Sequence, residues 1–195
     1  MDKIKKLPEP IKKGTISVEQ ALSARRSRRD FLSKHLIDSQ IGQLLWAAQG
    51  IDADTGHRNA PSAGAAYPLE VYLVNSEGLF HYLPAIHSLE LLDYTELRPA
   101  LARAALDQKF IEDAPMTIIL AACFARTTDC YGNRGVGFVY MEAGHAAQNI
   151  HLQAEALGLG SVAVGAFDEQ AVKQVLSLPA NIEPLYLIPV GYYRE

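Results

Sequence analysis

Pro61-Ser62-Ala63-Gly64-Ala65-Ala66-Tyr67-Pro68-Leu69-Glu70-Val71-Tyr72 carries two patterns. The first half is a run of small residues held between two prolines. Small side chains let a backbone come close to a flat ligand, and a plain surface turn has the same composition. The second half opens a strand, Leu69 to Val74, which alternates and is rich in β-formers. Asn75-Ser76-Glu77-Gly78 then turns the chain back into Leu79–Leu83, so an antiparallel hairpin is expected.

Downstream of the hairpin a helical stretch runs from about Glu96 to Phe110, closed by Asp113-Ala114-Pro115. Met116 to Cys123 is apolar throughout, which places it mid-sheet under helices on both faces. From about Phe138 to Leu157 an alanine-rich stripe of Val139, Ala143, Ala146, Ala147, Ile150, Ala154 and Leu157 predicts a long buried helix ended by Gly158, central or at a dimer interface. Gly160 to Phe167 reads as a strand ending in small residues, Asp168 as a helix cap, and Pro184 to Tyr192 as a last strand before Arg194.

Upstream, residues 51–60 are polar loop. Ile41, Leu44, Leu45 and Ala48 form a helical stripe, with Asp38 and Ser39 as caps and Gly50 as the stop. Ser17-Val18-Glu19-Gln20 has the form of a capping box, and residues 1–14 read as an extended arm. The short helix opened by Ser17 delivers Arg25-Arg26-Ser27-Arg28-Arg29-Asp30-Phe31 at its C-terminal end, where the helix dipole favours cations. Composition alone makes this cluster a solvated basic turn. Chemistry makes it an anion site, because guanidinium forks match phosphate oxygens two at a time.

With 195 residues, 49% apolar and 21% charged, the chain fits one folded domain, 1–195. No run of 18 apolar residues is present to span a bilayer. The charged start, followed by Pro8 and Pro10, does not read as a signal peptide, so a cytoplasmic protein is expected. A net charge of -4 argues against general nucleic-acid binding and for one compact anionic ligand. Cys123 reads as a core thiol and Cys130 as part of a polar turn; they form neither a disulfide framework nor a zinc site. Glu142 and His145 have Glu-x-x-His spacing, but a di-iron bundle needs two such pairs, so no metal is expected. His151 and Glu155, four apart, can pair across a helical turn. Hydrolase and P-loop motifs are absent, and Gly158-Leu159-Gly160 follows a helix and so lacks the setting of a dinucleotide fingerprint.

What remains is an ordered set: Arg25–Arg29, Pro61–Gly64, Gln148-Asn149, then Gly160-Ser161 leading to Gly165-Ala166. From about Ser17 to Tyr192 the chain resembles the nitroreductase family of flavin enzymes. The Pro61–Tyr72 run looks more like the SagB-type dehydrogenase branch, whose members include enzymes that oxidise thiazoline and oxazoline rings in peptides. The resemblance implies an α+β fold, a mainly antiparallel or mixed central sheet flanked by helices, and a homodimer with FMN in two interfacial sites. It also implies cofactor-binding roles for Arg25, Arg26, Ser27 and Arg29: phosphate and ribityl for Arg25 and Ser27, the pyrimidine edge for Arg29. Pro61, Ser62 and Ala63 would come from the partner subunit, and Gly64 is also expected to bind the cofactor. Gly165 and Ala166 would lie beside flavin N5 and O4, Arg194 would add a phosphate contact, and Gln108 would donate to the pyrimidine edge.

Ala65 stands where many nitroreductases carry asparagine, and nothing follows Glu195 to act as a C-terminal arm, so the dimer is expected to rest on helices. Substrate access is expected through two loops, 52–60 and 127–137. The expected activity is hydride transfer in alternating half-reactions between NAD(P)H and a small-molecule or peptide substrate. A SagB-type ring oxidation and a non-catalytic flavin-binding protein are the alternatives.

Overall fold

The structure, a computed structural model, describes residues 3–194; the readings placed on Met1, Asp2 and Glu195 lie outside the described residues. Among the described residues seven antiparallel strands form one sheet in the order β1-β4-β3-β2-β5-β7-β6. The expected hairpin is its middle: β2 (Leu69–Asn75) turns into β3 (Gly78–Leu83), with Tyr72 opposite His81. β5 (Met116–Ala122) lies between β2 and β7 (Glu183–Gly191) and is buried along its whole length, as its apolar run requires.

Period-2 alternation sends the strand residues to two cores. On one face Leu69, Val71, Leu73, Ile118 and Leu120 meet α2 (Asp38–Gln49) and α6 (Arg134–Ala156). On the other, Tyr72, Val74, Ile119 and Ala121 meet α3 (Arg98–Ala104), the single turn α4 (Phe110–Asp113) and α7 (Glu169–Val175). Among the described residues no helix is long and apolar enough to cross a membrane.

Several expectations are corrected. The arm contains a strand, β1 (Ile4–Lys6), paired with β4 (Ser88–Asp93), which the sequence reading had left out. The helix expected over 96–110 breaks, because Leu106 and Asp107 take left-handed φ of 60° and 58° and part α3 from α4. The access loop expected over 127–137, with Cys130 in a turn, is mostly helical. It holds α5 (Ala125–Tyr131) and the start of α6, joined through Gly132 at φ 53° and locked by the edge-to-face pairs Tyr131–Phe138 and Phe124–Tyr140. Ile37, not Asp38 or Ser39, is the N-cap of α2; its side chain has no acceptor to cap with, its N–H donates to Gln40 Oε1 at 3.2 Å, and Asp38, already inside the helix, pairs with Lys5 at 2.7 Å. Of the strand expected over 160–167 only Gly160–Ser161 is β6; Val164 adds an isolated bridge to Leu187.

Candidate active site

The arginine cluster begins where α1 (Val18–Ala24) ends. The capping box forms as expected: Ser17 Oγ accepts from Gln20 N–H at 3.2 Å, and Gln20 Oε1 accepts from Ser17 N–H at 2.8 Å. Arg25 N–H closes the helix on Ala21 O. From there the chain runs extended along the edge of the sheet. Ser27 bridges Ser161 in parallel, and Arg28 N–H donates to Ser161 O at 3.0 Å. A Cβ on Gly160 would lie 2.7 Å from Arg28 Cβ, so this approach needs glycine. On its other side the segment meets the C-terminal strand: Leu32 N–H donates to Tyr192 O at 2.8 Å and Arg194 N–H to Asp30 O at 3.0 Å.

The four guanidinium groups have different surroundings. Arg26 caps α1, donating through Nη1 to Ser23 O and Arg25 O; its backbone N–H donates to Glu155. Arg28 stacks over Tyr193, 4.5 Å from the ring centroid, with its buried Nε unpartnered. Arg29 lies over Phe110 at 5.6 Å. Among the described residues no carboxylate comes within 4 Å of Arg25, Arg28 or Arg29. Arg194 faces Asp30 at 3.7 Å, with both side chains exposed.

Phe110 connects this cluster to the next candidates, because it packs with Phe31, Ala114 and Val162. The α3–α4 break leaves Gln108 beside Gly165-Ala166, and its Nε2 donates to Ala105 O and Ala166 O, both at 2.8 Å. Both amide hydrogens are therefore engaged. Gln108 Oε1 accepts no bond among the described residues. Gly165 and Ala166 are exposed, and a Cβ on Gly165 would stand 3.6 Å from the Tyr186 ring, an ordinary contact.

Beneath the cluster lies a pair that sequence reading missed. His151 on α6, 6% exposed, bonds through Nδ1 to Ser161 Oγ at 2.6 Å, not to Glu155. Burial first, and the charge of Arg25 second, push its pKa down to about 4, so the ring is neutral near pH 7.

Pro61–Gly64 lies elsewhere in the same chain, against the other half of α6. Ser62 Oγ accepts from Tyr67 N–H at 2.9 Å, and on α6 the buried Glu142 has its Oε1 without a partner among the described residues. Burial raises the Glu142 pKa to about 7, although Ser62 and Arg58 pull it down. Glu142 and His151 are nine residues apart on one helix, about 13 Å along its axis. Within one chain the arginine cluster and the Pro61–Gly64 loop are thus separate.

Unpaired guanidinium groups beside exposed, side-chain-poor backbone are what a phosphorylated planar ligand needs, so the residues present fit the flavin that the resemblance implies.

A sequence profile described as "Nitroreductase family" matches residues 22–192. A Methanocaldococcus jannaschii protein that carries the nitroreductase name is 43% identical over 183 residues, 90% of this chain and 91% of its own. The microcin B17-processing protein McbC of Escherichia coli is 27% identical over 147 residues, 69% of this chain and 54% of its own. A crystal structure from Ralstonia eutropha, also named for a nitroreductase, superposes with a TM-score of 0.89 at 28% identity, covering 100% of this chain and 91% of that one.

Proposed function

This chain belongs to the nitroreductase family of FMN-dependent oxidoreductases, and on that premise we propose that it works by alternating half-reactions, NAD(P)H giving up a hydride in one and a second substrate accepting it in the other. The observation that carries this reading is the group of Arg25, Ser27 and Arg29, whose guanidinium groups have no carboxylate within 4 Å among the described residues, with Arg29 over Phe110, Phe110 packed on Val162, and Gln108 bonded to the exposed Ala166. Arg25 and Ser27 would hold the phosphate and ribityl end, with Arg194 as a second phosphate contact. Arg26, turned onto its own helix, keeps the cluster in place. When bound, FMN supplies hydride transfer at its N5. Arg29 then stabilises negative charge at the pyrimidine edge, which favours the reduced ring. Gln108 Oε1 accepts from the same edge, and Gly165 leaves the hydride path clear.

A second copy completes the site. Exposed Val136, Tyr140 and Met141 give α6 an apolar outer face, and a Cβ on Gly144 would meet nothing, so a partner helix has room to approach. Two α6 helices packed antiparallel would bring Pro61, Ser62, Ala63 and Gly64 of one copy to the arginine cluster of the other. Interfaces of this obligate kind bury about 2,000 Å² or more. Two free thiols, Cys123 and Cys130, suit a cytoplasmic setting.

Anaerobic mixing with NADPH or NADH tests the reading. Yellow protein holding about one FMN per subunit should bleach within seconds. A spectrum unchanged over minutes would reject the nicotinamide half-reaction. The likeness to McbC, a microcin B17-processing protein by its name, and the Pro61–Tyr72 run favour a second reading, oxidation of azoline rings in peptides. That reading expects bleaching by an azoline peptide in place of NADPH. Bleaching by neither would leave a flavin-binding protein without catalysis.

A further inference from the structure

The arginine segment lies on a thin support. Apart from the bridge at Ser27, residues 25–30 belong to no helix or strand, and β6, which receives them, is two residues long. The loop at the other end of α6 braces itself. There Gly64, Ala65 and Tyr67 hold left-handed φ of 60°, 53° and 47°. Tyr67 N–H donates to Ser62 Oγ, Arg126 Nη1 to Tyr67 O, and Arg58 N–H to the Tyr67 hydroxyl. Such a strained backbone persists only when its surroundings over-determine it. Residues 25–29 carry the charges of the site with much less bracing of their own.

What holds them from below is α6. Two backbone N–H groups flank Ser27, and both lead to side chains one helical turn apart on that helix, Glu155 and His151. Arg26 N–H donates to Glu155 Oε1 at 3.3 Å. Arg28 N–H donates to Ser161 O at 3.0 Å, and the hydroxyl of the same Ser161 is bonded to His151 Nδ1 at 2.6 Å. Ser161 is 2% exposed and His151 6%, so breaking this bond leaves a buried polar group unsatisfied.

Imidazole suits the place. Ala147, Ile150 and Ala154, its buried neighbours on α6, are apolar, so packing alone does not call for a polar ring. A carboxylate here would compete with an anionic ligand for Arg25, and an ammonium would repel the cluster. A neutral ring holds Ser161 and leaves the arginine charges free; burial first, and the charge of Arg25 second, keep it neutral.

We propose that His151 is a positioning residue: through Ser161 it fixes the backbone of Arg28 and, with Glu155 as the second point, sets Arg25 and Ser27 where they meet the phosphate and ribityl end of FMN. The last clause rests on the FMN placement proposed above; the hold on residues 26–28 does not.

His151→Asn keeps a polar atom where Nδ1 stands, whereas His151→Leu keeps only bulk. Amide exchange at Arg28 in the full-length FMN-bound protein reads the hold. Dissociation constants of FMN and riboflavin, from flavin fluorescence, read its consequence, because riboflavin lacks the phosphate and a general loss of stability leaves their ratio unchanged. In the Leu variant Arg28 exchange should accelerate about tenfold or more while Leu44 and Leu45 keep their protection. The preference for FMN over riboflavin should fall about tenfold. The Asn variant should stay within about threefold of wild type in both readouts. Unchanged Arg28 exchange in the Leu variant overturns the proposal, and so does an Asn variant that behaves as the Leu variant does. Arg25→Ala separates the two halves. If it lowers the FMN preference and His151→Leu does not, the positioning role is overturned. If neither lowers it while Arg28 exchange accelerates in the Leu variant, the hold on residues 26–28 is upheld and the FMN placement is overturned. Should the Leu variant fail to fold, Ser161→Ala removes the same bond from the other side, and Arg28 protection retained there also overturns the proposal.

Discussion

The two ends of α6 solve opposite problems. Around His151, the helix supports a surface segment whose charges are left without protein partners. Among the described residues no carboxylate comes within 4 Å of Arg25, Arg28 or Arg29, and the buried His151 is kept neutral. Around Glu142 the helix supports a strained loop whose polar groups are largely satisfied within the chain, and the buried group there is an acid. An end prepared for a ligand leaves charge unspent; an end prepared to present a shape spends its hydrogen bonds on itself.

The strongest test of this contrast is the pH dependence of stability. Glu142 carries a pKa raised from 4.5 to about 7, so the folded state holds a proton that the unfolded chain releases, and stability falls as pH rises through that window. His151 is lowered from 6.5 to about 4, so there the unfolded chain holds the extra proton and stability rises with pH. Each shift is worth roughly 3 kcal/mol, and between about pH 4.5 and 6.5 the two slopes oppose each other. Denaturant titrations should find the wild type nearly flat over that range. Glu142→Gln should become more stable as pH rises, and His151→Asn less stable. Parallel slopes in the two variants would erase the contrast.

Chemistry should respond next. Gly165→Val places bulk on the hydride path without touching the phosphate contacts, so FMN should stay bound while stopped-flow reduction slows about 100-fold or more. Gly165→Ala is the control. Its φ lies outside the left-handed region and its Cβ would make an ordinary contact, so stability should change by no more than about 0.5 kcal/mol. Reduction unchanged in the valine variant would move the reacting centre away from 162–167.

Binding should show a smaller effect, and one that separates neighbouring arginines. Arg25→Ala should weaken FMN about tenfold or more, since a charge-assisted bond is worth about 1.5–3 kcal/mol. Arg26→Ala, which removes a helix cap, should lower the melting temperature with less effect on affinity measured on the folded protein. Equal losses of affinity would mean that the carbonyl contacts of Arg26 do not define its role.

Sequence patterns made local features legible. The Ser17–Gln20 cap, the hairpin and the doubly buried β5 follow from neighbours in the chain, and all three form. The strand β4 had its signal, Leu89 and Leu91 alternating with Glu90, and was overlooked. Other features had no local signal. The left-handed pair Leu106-Asp107 interrupts an otherwise helical run, and that interruption is what sets Gln108 against Ala166. Residue type could not separate Arg25 from Arg26, because helix geometry decides which guanidinium folds back on the carbonyls. Nor could it show that Glu142 is buried while His145, three residues on, is exposed.

The strand order has a consequence for synthesis. β1 closes one edge of the sheet and Ser27 docks on β6 at the other, so residues 7–26 cross its width, six strand spacings or roughly 29 Å. The partners of this crossing are made late: β4 at 88–93, β6 at 160–161, and Tyr192–Arg194 last of all. During synthesis the arginine segment therefore emerges before these partners and stays unbraced until they follow. Contacts this distant in sequence close slowly. A product truncated before β7 leaves the segment without its contacts to Tyr192 and Arg194.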